Sequence, residues 1–115
     1  MFRKATAVAL AGLGLVISVM PAGAAISVLN GALANSCYQA AQYGGSAIEG
    51  IRLCSLALGE GALTTRDRAA TYINLGIVRA RGNDAEGALD SYNRGLAIDA
   101  SLGEGYVDRG AVQIT

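Results

Sequence analysis

The residues that could carry chemistry are few and far apart. Histidine is absent from the 115 residues, which removes the commonest general base and metal ligand. Nine acids run from Glu49 to Asp108, and no serine, threonine or cysteine stands beside a recognisable activating partner. Most of the acids fall where a helix start or a wet face accounts for them: Asp67, Asp84 and Glu86 lie near helix beginnings, where negative charge is favoured. Gly103-Glu104-Gly105 matches only a fragment of a phosphate loop. It lacks the remaining glycine, the lysine and a preceding strand. Two thiolates do not complete a tetrahedral zinc set. Neither catalysis, a small-molecule substrate, a cofactor nor a metal is expected.

Cys37 and Cys54 are the exception, separated by 17 positions. In an oxidising compartment they form a complete disulfide pair, stabilising by ~3 kcal/mol for a loop near this length. Otherwise they are two buried thiols packed as small hydrophobes. The first residues favour the pair. Arg3 and Lys4 head an almost wholly apolar run from Ala5 to Met20, and Ala22-Gly23-Ala24 closes it. A charged head, an apolar middle and a small-residue end make a secretory signal peptide, here residues 1–24. Cleavage after Ala24 leaves 91 residues, with seven cations against nine anions. That balance argues against a nucleic-acid partner, which calls for a concentrated basic patch. The competing reading keeps the segment as a membrane anchor, but Pro21 and Gly23 sit badly in a spanning helix. A membrane contact is expected only in that case, and a periplasmic or secreted location in both.

The elements that must position any binding residue are helices. Residues 25–35 carry no clear pattern and read as a linker. Residues 36–58 read as one helix pair. Tyr38 lies in its first helix, Gly44-Gly45 makes the break, and Ser46-x-x-Glu49 is a capping box opening the second. Ile48, Ile51, Cys54 or Ser55, and Leu58 then form the second helix's buried stripe. Residues 64–98 give a longer pair. Thr64-x-x-Asp67 has capping-box spacing, and Ala69, Tyr72, Leu75 or Gly76, and the turn at 77–80 recur at helical intervals. Arg79 and Arg81 oppose the dipole at the end of that helix, and Gly82 ends it in a left-handed conformation. Asn83 or Asp84 caps the next helix, whose stripe is Ala85, Ala88, Leu89, Tyr92 and Leu96. A short turn forces the two helices antiparallel. A glycine inside a helix costs roughly 1 kcal/mol relative to alanine. Close packing explains Gly76 and Gly95; Gly87 has no evident reason.

Residues 103–115 open a further unit. Tyr38, Tyr72 and Tyr106 are spaced 34 apart, and Gly110 follows Tyr106 as Gly76 follows Tyr72. The last helix reads as a capping helix or as a repeat interrupted by the end of the sequence.

This pattern resembles the tetratricopeptide repeat family. The family shows aromatic-x-x-Leu-Gly-x-x-Tyr, then Ala-x-x-x-Phe, then Pro, on a 34-residue period. The chain has Tyr72-x-x-Leu75-Gly76-x-x-Arg79, then Ala88-x-x-x-Tyr92, Gly95 at the small position, and Ala100. Arg79 replaces the tyrosine and Ala100 the proline. The resemblance implies an all-α, α-α superhelix of helical hairpins. It also implies a non-catalytic role, with a peptide or protein partner bound in a groove lined by first helices. Carried onto this chain, the groove residues are Ile73, Asn74, Ile77 and Arg81, then Val107, Asp108 and Ala111. Asn74 would bond an extended backbone and Arg81 a carboxylate. The alternative implied is a structural piece of a longer array with no ligand of its own.

Overall fold

The computed structural model of the chain describes residues 23–29 and 31–114. The leader reading therefore lies outside the described residues, apart from Gly23 and Ala24. Among the described residues the regular elements are all helices: α1 (Ala32–Tyr43), α2 (Ala47–Leu58), α3 (Thr65–Arg81), α4 (Ala85–Ile98) and α5 (Gly103–Gln113). Residues 23–29 form neither helix nor strand.

Local chemistry sets the helix boundaries. Ser46 accepts from the Glu49 amide at 3.3 Å, Thr64 from the Asp67 amide at 3.1 Å and Asp84 from the Gly87 amide at 2.9 Å. Each cap satisfies one of the free N–H groups of a helix start. The third cap supplies the missing reason for Gly87, because a Cβ there would collide with the Asp84 carboxylate. The turn between α3 and α4 differs from expectation. Gly82 keeps φ −84° and Asn83 takes the left-handed conformation instead, at φ 65°, which asparagine tolerates better than most side chains. Helix α1 starts inside the stretch read as linker, directly after Gly31 at φ 95°.

Helix α3 is the axis of the packing: α1 and α2 lie on one side of it, α4 and α5 on the other. The Tyr92 ring lies against Gly76, where an added Cβ would overlap it. A Cβ at Gly95 would stand 2.8 Å from the Ala69 carbonyl oxygen and 2.8 Å from Ile73 Cδ1. Both glycines thus set how closely α3 and α4 approach. The α1–α2 hairpin is built differently. Its inward residues are small, namely Ala34, Cys37, Ala41, Gly50, Cys54 and Ala57, and a Cys37–Cys54 disulfide joins Cα atoms 4.6 Å apart.

The expected stripe of α2 holds at Cys54, which is buried, and at Ile51 and Leu58, which pack against the core, and fails at Ile48. Ile48 is 84% exposed, while Gly50, Cys54 and Ala57 face inward. Gly50 lies against Val78, leaving no room for a side chain. Closeness of approach, not hydropathy, places Gly50 rather than Ile48 inward.

Candidate functional site

Among the described residues, a specific polar geometry lies where α3 and α5 meet residues 23–29. Ile26 donates its backbone N–H to Asn74 Oδ1 at 2.8 Å, and Asn74 Nδ2 donates to the Ile26 carbonyl at 2.8 Å. One buried amide thus pairs with both backbone groups of one residue, as a neighbouring strand would. The flanking N–H groups are also held. Ala24 donates to Asp108 Oδ1 at 2.8 Å, and Leu29 donates to both Asp67 oxygens at 3.1 and 3.2 Å. Arg66 donates to the Ser27 carbonyl at 2.6 Å and reaches Asp67 Oδ1 at 3.3 Å.

The acceptors are placed by helix periodicity. Asp67 and Asn74 are seven residues apart and share one side of α3. Asp108 stands 34 positions after Asn74, on α5. Together they read N–H groups 24, 26 and 29 in one direction. The side chains between obey the same logic. Ile26 is buried, Ala25 and Val28 pack against the core, and Ser27 and Leu29 face solvent. Gly23 lies so close to Ile77 that a Cβ would stand 2.7 Å from Ile77 Cγ1.

Three sequence-expected groove residues therefore converge: Asn74, Ile77 and Asp108. Ile73 does not join them. It is fully buried, and its side chain packs where Gly95 and Gly105 leave space, so it joins α3 to α4 and α5. Arg81 is also elsewhere. It donates to the Ala40 and Ala41 carbonyls at 2.9 and 2.8 Å, covering the end of α1, where Ala40 also accepts from the Gly44 cap N–H at 3.2 Å. Val107 is 69% exposed. Asp67 and Arg66 belong to the site and were not expected there. Asp67 was legible only as a helix-start acid, although its place seven residues before Asn74 puts both on one face.

Burial dominates the electrostatics. Asp108 is 2% exposed, and its pKa is pushed up to about 6, chiefly by burial. The Ala24 N–H opposes that shift, and the Glu104 charge adds to it. Its Oδ2 has no hydrogen-bond partner. Burial, and then the Asp108 charge, also raise the Tyr92 phenol. A pocket of about 590 Å³ continues the groove at Gly23, lined also by Ile77, Arg81, Tyr92, Asp108 and Val112.

No cluster of three or more metal-ligating side chains occurs among the described residues. What the arrangement does is hold an extended backbone through hydrogen bonds and one aliphatic side chain. No protein-family description, curated protein or solved structure matches this chain.

Proposed function

We propose that this chain is an exported helical-repeat module of the tetratricopeptide type, which binds an extended segment of a protein partner between α3 and α5. The observation that carries this reading is the two-point clamp of Asn74 on Ile26. A buried side-chain amide whose donor and acceptor both go to one backbone residue recognises an extended chain irrespective of its side chains. The all-helical fold and the 34-residue spacing of Asn74 and Asp108 support the repeat assignment. The Cys37–Cys54 disulfide supports an oxidising compartment. Binding needs no cofactor, and the protein does no catalysis.

The test is titration of the purified protein with a labelled peptide of the sequence of residues 23–29, read by fluorescence anisotropy. Saturable binding that Asn74→Ala abolishes, with the fold retained by circular dichroism, is the expected result. An Asn74→Ala variant binding like wild type would remove the proposal.

One observation favours the rival, a structural piece of a longer array. Tyr106 and Val107 of α5, and Ile114 just after it, are exposed, as an internal face between stacked units would be. On that reading, releasing residues 23–29 changes the melt but creates no peptide binding.

A further inference from the structure

The groove holds a backbone that satisfies it incompletely. Asp108 is buried, yet one oxygen receives a single peptide N–H and the other receives nothing. A buried carboxylate with one neutral donor is poorly compensated for the water it has lost. In the chain that keeps its leader, residues 23–29 cannot improve on this, because Ala24 N is a peptide nitrogen with one proton; cleavage after Ala24 removes even that donor. A chain that began at that position would present an ammonium instead. It would keep the bond to Oδ1, add two donors and a positive charge, and make the charge-assisted bond that a buried carboxylate favours. It would also lack a residue at Gly23, where the fit against Ile77 is tightest.

The rest of the groove constrains the residues after such a terminus. Asn74 takes the backbone of the third residue, whose side chain is buried as that of Ile26 is. The first and fourth positions are open to solvent, the second is an alanine packed against the core, and the fifth also packs there. We propose that the groove prefers the free amino end of an extended segment with a small second residue and then an aliphatic one, and that residues 25–29, joined by Gly23 and Ala24 where the leader is retained, hold this place until such a partner displaces them. This deepens the peptide-binding reading above and rests on it. Tethering gives residues 23–29 a millimolar effective concentration, so the resident segment masks the groove.

The experiment uses the purified protein and the hexapeptide Ala-Ala-Ile-Ser-Val-Leu, labelled at its carboxyl end, with its amino end free or acetylated. Ile26→Asp unseats the resident segment, and Ile26→Pro, which removes the clamped N–H, serves if the first variant fails to fold. The released variant is expected to bind the free-amine peptide at least tenfold tighter than wild type. Acetylation should weaken that binding at least tenfold, and adding Asp108→Asn should shrink the acetylation effect to threefold or less. If free and acetylated peptides bind the released variant equally, or if release does not improve binding, this inference falls while peptide binding stands. If neither peptide binds any form, both fall together.

Discussion

The two complete hairpins are held by different means. The α1–α2 pair buries alanines, a glycine and two half-cystines, and its large apolar side chains Ile48 and Leu56 face outward. The α3–α4 pair buries Tyr92, Ile73, Val78, Leu75 and Leu96 and interleaves them through Gly76 and Gly95. Small side chains remove little surface from water, at about 25 cal/mol per Å². A covalent link therefore substitutes in the first hairpin for the packing of the second. Arginines of α3 join the halves: Arg68 donates to the Leu58 and Glu60 carbonyls, and Arg81 to those of Ala40 and Ala41.

The largest effect on this contrast should come from Tyr92→Ala. It empties the largest fully buried side chain and should cost about 4 kcal/mol, read as a lower urea midpoint. The loss should appear in α3, α4 and α5 together. Reduction of the disulfide, or a Cys37→Ser/Cys54→Ser double variant, should cost about 3 kcal/mol. Here amide exchange should accelerate first in α1 and α2 while α3 and α4 stay protected. Equal acceleration in both hairpins would mean they are one cooperative unit, held by a shared core.

A smaller effect comes from Asp108. Its folded pKa of about 6 lies above the ordinary value of 3.8, so between about pH 4 and pH 6 the folded state binds more protons than the unfolded one. This group's contribution to stability is then present at low pH and lost as pH rises through 6. Asp108→Asn removes that slope. The melting difference between variant and wild type should shift in the variant's favour from pH 4 to pH 7, by on the order of 1–2 kcal/mol. Smallest of all, Ile48→Lys should change stability by less than about 0.5 kcal/mol, since Ile48 points into water. A core position would lose several times that.

Much of the helical framework can be read from the chain because its signals are local. Ser46 and Thr64 cap at the expected spacing, the glycines at 76 and 95 mark close approach, and the turn near 82–84 separates the central helices. Within the α2 stripe hydropathy misplaces Ile48 alone, because it ranks Ile48 above Gly50, whereas Val78 fills the space a side chain at Gly50 would need. Asn74 and Asp108 stand out in the sequence only through the family resemblance, which puts both on a groove face. The stretch read as a linker is not legible, because its order comes from side chains 38 to 84 positions away. Nothing in a run of alanine, isoleucine, serine and valine announces such partners. Asp67 is hidden for a related reason: its backbone N–H serves the Thr64 cap while its carboxylate serves residues 23–29.

The grip of α3 and α5 on an extended backbone depends above all on Asn74. Hydrogen exchange at the Ile26 amide, followed by NMR in wild type and in Asn74→Ala, measures that grip directly. The Ile26 amide should exchange at least a hundredfold more slowly than in a free peptide (about 2.7 kcal/mol), and that protection should vanish in the variant while α3 and α4 remain protected. An Ile26 amide that exchanges at the free-peptide rate in wild type would contradict the clamp and the binding function drawn from it.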